Sequence, residues 1–292
     1  MSVIAVGNFD GVHLGHQKIL TETCRYAEKL GVKSIAFTFT VHPRNILTAS
    51  NIVKNIYTND QKLKYIRNSG IDSVFFQDFD FEFSNMDIVS FLTFLKKHFS
   101  CRILVCGENF KFGKNAMYNV SDLKKISEKM DIEIVVVEIS EKNVVSSTKI
   151  REMMNIGDIK TVNFMLGRKY CVELMIEKGQ KLGTQLGYPT INQNPPKNLL
   201  LLKNGVYLTR TVIVGSELIY DSITNIGNKP TVNGMDMTIE TFLFGCEMNL
   251  YGQIAQVEFF EFIREEKKFA NISLLIEQIK RDVKYAENAD RA

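Results

Sequence analysis

Two histidines stand three residues apart where a short apolar run gives way to a glycine-containing stretch. His13 and His16 belong to the segment VGNFDGVHLGHQKIL, residues 6–20. A helix that begins near Gly15 would direct its free N–H groups and its positive dipole end towards a bound phosphate. Residues three apart on a helix face the same way, so both imidazoles could donate hydrogen bonds to phosphate oxygens as negative charge develops. The spacing therefore favours phosphate chemistry without a covalent intermediate.

Two other interpretations of the histidines are a metal pair and two unrelated surface side chains. The metal pair is disfavoured because no third nitrogen or sulfur ligand follows at a usual spacing. The segment does not contain the G-x-G-x-x-G dinucleotide fingerprint, and the chain contains no G-x-x-x-x-G-K-[ST] loop. These patterns disfavour a nicotinamide-dependent enzyme and exclude a P-loop kinase.

The composition is that of an ordinary globular protein. The chain has 292 residues, 45% hydrophobic and 24% charged, a length that favours two domains. Its 36 Lys and Arg against 33 Asp and Glu give a net charge of +3, which offers no support for a nucleic-acid or membrane surface. We find neither a signal peptide nor an apolar run of about 20 residues. Five cysteines without a C-x-x-C pair predict reduced thiols and a cytoplasmic protein.

The elements that must position these groups alternate between strands and helices in the first half. Apolar and β-branched runs predict strands, and periodic spacing of apolar residues predicts helices. The predicted strands cover 3–6, 34–40, 73–76, 102–107 and 132–139, and the predicted helices cover 16–30, 60–68, 86–99 and 121–130. Several strands are continuously apolar, which indicates a parallel sheet covered on both faces. Three of the four histidines and the run SSTKIR would then gather at the carboxyl ends of the strands, where such sheets bind ligands.

The pattern changes after about residue 155. Short β-like runs are then separated by glycine, proline and asparagine, which is typical of an antiparallel barrel or sandwich. A final helix carries an apolar stripe of Ile272, Leu275, Ile279, Val283 and Ala286. We therefore expect one domain at 1–157 and a second at 158–292.

The second half contains no histidine, so a general base there must come from another residue type. Gly179 and Gly183 predict a loop that allows close backbone approach. Thr190 and Asn192 are two apart on an extended segment, so their hard oxygens face the same side and suit Mg²⁺ carrying ATP phosphates. The alternative for that pair is a turn with a capped strand start. Glu240 lies among apolar neighbours in a predicted half-buried strand, where a carboxylate could take a proton from an attacking hydroxyl.

Several motifs together resemble one family. HLGH at 13–16 and SSTKIR at 146–151 resemble the H-x-G-H nucleotidylyltransferase superfamily. GNFDGVHLGHQ, GYPTIN, NIGNKPT, IETFLF, NLYG and IREEKKF, in that order, resemble the bacterial bifunctional riboflavin kinase/FAD synthetase family over essentially the whole chain. The resemblance implies an α/β, Rossmann-like nucleotidylyltransferase domain, followed by a six-stranded, mainly antiparallel Greek-key β-barrel with a C-terminal helix.

The resemblance also implies a role for each matching position. In the first domain it implies catalytic His13, His16 and Arg151, ATP contacts from Gly7, Asn8, Phe9, Asp10, Gly15, Ser146, Ser147 and Thr148, and flavin contacts from Asn109 with Phe110 or Phe112. In the second it implies ATP contacts from Gly179, Lys181 and Gly183, Mg²⁺ at Thr190 and Asn192, Glu240 as base and Arg264 near the flavin. Aromatic residues near a strand end are more often core residues than ligand contacts, which is the alternative for both phenylalanines.

The implied activity has two steps. Riboflavin and ATP would give FMN and ADP in the barrel, and FMN and ATP would give FAD and pyrophosphate in the first domain, with Mg²⁺ in both. A monofunctional FAD synthetase is the first alternative, because Leu182, Thr184 and Gly245 replace residues that are often charged in the family. A flavin or nucleotide sensor and an adenylyltransferase for a pantetheine or pyridine nucleotide are the others. The sequence leaves the oligomeric state open.

Overall fold

A computed structural model describes residues 1–47, 53–138, 145–179, 182–231 and 234–291. The chain forms two compact units, Met1–Ser147 and Thr148–Ala292. Each unit is built around its own sheet.

The first unit is a parallel sheet with helices along the chain between its strands. In the described part of this unit the strands are β1 (Ser2–Val6), β2 (Lys33–Phe39), β3 (Ser73–Gln77), β4 (Cys101–Gly107), β5 (Lys111–Phe112), β6 (Tyr118–Asn119) and β7 (Glu133–Val137). The helices are α1 (Leu14–Leu30), α2 (Arg44–Leu47), α3 (Asn59–Asn68), α4 (Phe81–Ser84), α5 (Ile88–Phe99) and α6 (Val120–Ser127), with 3₁₀ turns at Lys114–Ala116 and Glu128–Met130. Strands β5 and β6 form a separate hairpin that the sequence did not predict.

The main sheet has the strand order β3-β2-β1-β4-β7, and every neighbouring pair is parallel. The chain moves outward from β1 in one direction, returns, and continues from β4 in the other direction. The order therefore reverses beside β1, at the point where open α/β sheets bind their ligands. The loop between β1 and α1 leaves the sheet there, so the topology places the H-x-G-H segment at the expected crevice.

Aromatic side chains fill one side of this sheet. Phe37 is fully buried, and its ring centroid lies 5.4–6.2 Å from those of six other phenylalanines, Phe39, Phe75, Phe83, Phe91, Phe94 and Phe99. Most of these pairs meet edge to face, the arrangement that the ring quadrupoles favour. The other side packs α1 against β1 through Ile19, Leu20 and Ala27.

Helix α7 (Ser147–Ile156) begins at the last residue of the first unit. In the described part of the second unit the remaining elements are α8 (Ile159–Leu166), β8 (Tyr170–Met175), α9 (Leu182–Gln185), β9 (Thr190–Gln193), β10 (Gly205–Ile213), β11 (Ile219–Thr231), β12 (Gly234–Leu243), β13 (Ile254–Arg264) and α10 (Ile272–Asn288). The sequence did not predict α8.

The six strands of the second unit form one antiparallel sheet in the order β8-β13-β10-β11-β12-β9. Strands β10, β11 and β12 follow one another, and β13 returns to pair with β10, which is a Greek key. The sheet curls so far that its two edge strands, β8 and β9, approach each other. Two hydrogen bonds join these edges: the Glu177 N–H donates to the Asn192 carbonyl, and the Gln193 side-chain amide donates to the Leu174 carbonyl. The α/β fold and the antiparallel Greek-key sheet with a final helix are thus confirmed.

The interior of the curled sheet contains a chain of hydroxyl groups. Thr241, Thr224, Thr209, Ser222 and Thr211 are fully buried and are joined in that order by four hydrogen bonds of 2.8–2.9 Å. A hydroxyl can donate once and accept twice, so each group satisfies its neighbour without a charged partner. The barrel core is therefore partly polar, and each of these five buried hydroxyls is paired with another.

The aromatic cluster gives a direct test of the first unit's packing. Phe37→Ala should lower the free energy of unfolding of this unit by about 3–5 kcal/mol, because it removes a fully buried ring that the surrounding rings cannot replace. Phe81→Ala is the control, since that side chain is 78% exposed and its loss should cost less than about 0.5 kcal/mol. Urea unfolding followed by circular dichroism measures both, and equal effects would contradict the packing described.

Candidate active sites

The loop between β1 and α1 adopts an unusual backbone. Phe9 has φ 48° and Val12 has φ 40°, in the left-handed region that non-glycine residues rarely occupy, and Gly11 has φ 82°. Both non-glycine side chains are fully buried. For a β-branched residue such as valine this conformation is an outlier, and such strain collects at functional sites.

His13 ends the loop as the N-cap of α1. Its Nδ1 accepts a hydrogen bond from the His16 N–H at 3.4 Å. An accepting Nδ1 leaves the proton on Nε2, which is then a donor. The rings of His13 and His16 stack with their centroids 3.7 Å apart. The rings of Phe9 and His16 meet edge to face with their centroids 5.4 Å apart. The two imidazoles therefore lie side by side at the helix tip, as predicted from their spacing.

Hydrogen bonds from distant parts of the first unit hold this loop. The carboxylate of Asp10, only 3% exposed, accepts from the Ile56 N–H at 2.9 Å. The Ser147 hydroxyl donates to the Asp10 carbonyl at 2.8 Å, and the Thr38 hydroxyl donates to the Asn8 carbonyl at 2.9 Å. Two of these bonds end on main-chain carbonyls of the GNFDG segment and one on the Asp10 carboxylate, so residues elsewhere in the unit fix the shape of the loop.

A buried lysine also meets the loop. Lys62 is 5% exposed, and its ammonium donates to the Phe39 carbonyl at 2.7 Å and to the Asn8 carbonyl at 3.5 Å. Burial lowers the pKa of Lys62 from 10.5 to about 8, and the nearby Asp10 carboxylate opposes part of that shift. The sequence analysis missed Lys62, because Lys62 and Lys64 differ only in the face of α3 that carries them.

The SSTKIR segment begins α7. Ser147 is its first residue, and Arg151 follows one turn later on the same side of the helix. Ser146, Ser147 and Arg151 are half-buried, and Thr148 is exposed. The hydroxyl of Ser147 is used in the loop contact with Asp10. That Ser146, Thr148 and Arg151 contact the phosphates of ATP stays a prediction.

The predicted flavin residues of the first unit occupy different environments. Asn109 is exposed in the turn after β4, and Phe110 is half-buried against the core. Phe112 is 8% exposed, and its ring stacks on that of Phe91 with centroids 4.2 Å apart. Phe112 is therefore a core residue in this structure, and any contact of these residues with a flavin stays a prediction.

In the second unit, the predicted metal and base residues lie on adjacent strands. Thr190 and Asn192 belong to β9, as the sequence predicted, and Asn192 lies opposite Glu240 of β12. Asn225 of β11 lies opposite Glu240 on its other side. Residues opposite one another in antiparallel strands share a face of the sheet. Glu240 is half-buried in its strand, as predicted.

Two glycines allow the loop before β9 to lie close to Thr190 and Asn192. A Cβ at Gly179 would overlap the Asn192 amide, and a Cβ at Gly183 would overlap the Tyr188 carbonyl and lie 3.4 Å from the Thr190 hydroxyl. Any side chain at these positions would displace the loop or the strand, so the close approach requires glycine. Lys181 lies outside the described residues.

A cavity of about 250 Å³ joins several of these groups. Its lining includes Gly183, Thr190, Asn225, Glu240 and Arg264, with apolar walls from Ile223, Phe242, Phe269, Leu275 and Ile279. Glu266, Lys267 and Asp282 also line it. Polar groups that converge on a cavity with apolar walls are typical of a small-molecule site. The structure therefore brings Thr190, Glu240 and Arg264 to one pocket.

The guanidinium of Arg264 is held in place by a buried acid. It forms a double hydrogen bond to Asp282 of α10 at 2.7–3.1 Å, and the Asp282 side chain is only 5% exposed. The Gln278 amide also donates to Asp282 at 2.8 Å. The sequence analysis missed Asp282, although a charged residue within the apolar stripe of the last helix was the available signal.

Among the residues that the structure describes, no group of three His, Cys, Asp or Glu could hold a metal ion. All five cysteines are free thiols. Within the described ranges, no helix combines the length and the apolar character that crossing a bilayer requires.

Comparison with known proteins finds a family match in each half of the chain. The FAD synthetase family model matches residues 1–149, and the riboflavin kinase family model matches residues 166–289. A bifunctional riboflavin kinase/FMN adenylyltransferase of Haemophilus influenzae is 31% identical over 290 residues, which covers 97% of this chain and 92% of the relative. The protein of the same name from Bacillus subtilis is 30% identical over 289 residues, with 96% and 90% coverage. This chain belongs to that family.

A solved structure also matches the chain along its length. The protein, from Streptococcus pneumoniae and described as a macrolide-efflux protein, has a TM-score of 0.89 and 26% identity, covering 99% of this chain and 94% of that one. Membership of the bifunctional family confirms the resemblance found in the sequence, and an FAD synthetase domain and a riboflavin kinase domain are both present.

The buried lysine predicts how the stability of the first unit changes with pH. Below about pH 8 Lys62 is protonated in both states, and between pH 8 and 10.5 the unfolded chain binds more protons, so stability rises with pH. The rise from Lys62 should be about 2 kcal/mol between pH 7.5 and 9.5. Urea unfolding at both pH values should show that this rise is lost in Lys62→Met and kept in Lys64→Met, whose side chain is exposed. An identical pH dependence in the two variants would contradict the burial of the ammonium.

Proposed function

We propose that the chain phosphorylates riboflavin to FMN and adenylylates FMN to FAD with release of pyrophosphate. The kinase reaction is assigned to residues 158–292 and the adenylyl transfer to residues 1–157. The observation that carries the proposal is the match of both family models to this chain, at 1–149 and 166–289, each over residues that include a candidate site. We also propose a cytoplasmic location, which the five free thiols support.

In the kinase reaction, the terminal hydroxyl of the riboflavin side chain attacks the γ-phosphate of ATP. Glu240 accepts the hydroxyl proton as the new P–O bond forms, and ADP leaves. The apolar walls of the cavity suit a flavin ring, and Arg264 is fixed beside it by Asp282. A guanidinium that is already held loses little freedom when a ligand binds.

In the adenylyl transfer, a phosphate oxygen of FMN attacks the α-phosphate of ATP and pyrophosphate leaves. The Nε2–H of His13, the neighbouring His16 and the free N–H groups of α1 would stabilise the charge that develops on the phosphate oxygens. Ser146, Ser147, Thr148 and Arg151 are the residues that we assign to the rest of the triphosphate. Asn109 and Phe110 are assigned to the flavin, and Phe112 supports that region from the core.

The residues at the kinase site fit Mg²⁺. Thr190 and Asn192 offer a hydroxyl and an amide oxygen, which are hard donors. Gly179 lets the loop lie directly against Asn192, and Gly183 lies against the Tyr188 carbonyl beside Thr190. Phosphate oxygens of ATP would complete the coordination. Bound there, Mg²⁺ would neutralise charge on the phosphates and orient them.

Product analysis tests the two activities separately. With ATP and riboflavin we expect FMN and then FAD, and with ATP and FMN we expect FAD, both followed by chromatography. Formation of FAD from FMN with no product from riboflavin would reject the bifunctional proposal in favour of a monofunctional FAD synthetase. No turnover of either substrate, with flavin binding retained, would favour a sensor.

Paired variants should separate the two sites. Glu240→Gln should slow FMN formation by about 10²–10⁴-fold, because it removes the base, and leave FAD formation from FMN unchanged. His16→Ala should slow FAD formation by about 10²–10³-fold and leave FMN formation unchanged. Each variant is the other's control for folding, and loss of both activities in either one would contradict the assignment.

The glycine loop can be tested in the same assays. Gly183→Ala should reduce FMN formation by about tenfold or more, because the new Cβ would overlap the Tyr188 carbonyl and must move it away from the loop, two residues before Thr190. Thr184→Ala is the matched control, since Thr184 is the next residue in the loop and is exposed. Equal rates in the two variants would show that the close approach is not needed.

A further inference from the structure

A buried lysine that belongs to none of the motifs lies beside the first site. Lys62 lies on α3, far from the H-x-G-H segment in the sequence, and its side chain is buried, with 5% of the residue exposed. Lysine is among the residues that are most rarely buried, and burial of its charge is costly unless the charge has a partner. A buried ammonium in a small α/β domain therefore requires a physical explanation.

The contacts of Lys62 supply one. Its ammonium donates to two main-chain carbonyls, those of Phe39 at the end of β2 and of Asn8 just after β1. The Thr38 hydroxyl donates to the same Asn8 carbonyl at 2.9 Å. Lys62 thus joins the carboxyl ends of two neighbouring strands and reaches the first turn of the loop that carries His13.

The loop needs such support because its backbone is strained. Phe9, which directly follows Asn8, and Val12, four residues after Asn8, both have positive φ. Asp10, between them, adds a buried carboxylate whose charge favours the protonated form of Lys62. Both hydrogen-bond acceptors of the Lys62 ammonium belong to the protein itself. Lys62 therefore supports the loop without a bound substrate.

We propose that Lys62 is a positioning residue for adenylyl transfer, which holds the Asn8 carbonyl so that the loop presents His13 and the tip of α1 to the reacting phosphate. This inference rests on the proposed FAD synthetase activity. It assigns Lys62 no direct contact with substrate, because the side chain is buried beneath the loop. Its effect on the reaction runs through the orientation of groups that touch phosphate.

A positioning role and a purely structural role predict different behaviour of Lys62→Met. Methionine keeps the length and apolar stem of lysine but lacks the ammonium. Since burial of that charge is costly, we expect the urea midpoint of the first unit at pH 7 to stay equal or rise. At the same time kcat for FAD formation from FMN should fall by about 10–100-fold with a change in the KM for ATP of less than about threefold, because misplacement of about 1 Å is enough to lower the rate this far.

Hydrogen exchange gives a readout that does not depend on activity. Amides of residues 7–13 should exchange at least about tenfold faster in Lys62→Met than in the parent, and those of β4 should be unchanged. Lys64→Met, two residues further along α3 and exposed, is the matched control for all measurements. FMN formation from riboflavin should be the same in all three proteins.

The outcomes separate this inference from the proposed function. An FAD formation rate in Lys62→Met within twofold of the parent, or a loss that parallels a lower urea midpoint, would overturn the positioning role. Unchanged exchange of residues 7–13 would overturn it as well. A parent protein that forms no FAD would defeat the proposed function, and faster exchange in Lys62→Met would then still establish that Lys62 holds the loop.

Discussion

The backbone between β1 and α1 is held in a conformation that its own residues do not favour, and the first site depends on the groups that hold it. Two non-glycine residues at positive φ cost on the order of 1–3 kcal/mol each. Hydrogen bonds from Thr38, Ile56 and Ser147 offset that cost, and Ser147 is 137 residues away from its partner Asp10 in the chain. Because the contacts come from so many elements, the loop acquires its shape only when the whole α/β unit has folded. The stacked imidazoles are a consequence of that assembly.

The two candidate sites offer different chemical groups to the charge of a bound phosphate. The first offers hydrogen-bond donors, namely helix N–H groups and imidazoles, which stabilise charge as it develops. The second offers oxygen ligands on β9 and a carboxylate on β12, which suit a cation and a proton. A helix tip supplies part of the first set from its main chain, whereas the sheet face presents every group of the second set as a side chain, on β9 and β12. This difference explains why the second site needs glycines that let a loop lie directly on the strand.

Hydrophobic periodicity was enough to predict the alternation of strands and helices and the final helix, and local motifs that resemble the family supplied the candidate residues of both sites. Neither could identify Lys62, since Lys62 and Lys64 become distinguishable only when one face of α3 is buried. The role of Asp282 likewise depends on Arg264, which lies 18 residues away across a tertiary contact. Phe112 shows the converse, because an aromatic beside a polar loop packs on Phe91 in the core. Hydrophobic patterns and motifs in the sequence therefore do not show which residues, distant in the chain, contact one another in the fold.

The buried hydroxyl chain in the barrel has an evolutionary consequence. Thr224 bonds to both Thr209 and Thr241, so a valine at 224 would strand one proton or lone pair on each neighbour. Single substitutions are thereby penalised at the interior positions of the row, whereas Thr241 and Thr211, at its two ends, each have only one hydrogen bond within it. Substitution in this core should proceed inward from the ends, or by simultaneous exchange of adjoining members. The interior thus carries a preferred order of mutation that an all-hydrocarbon barrel would lack.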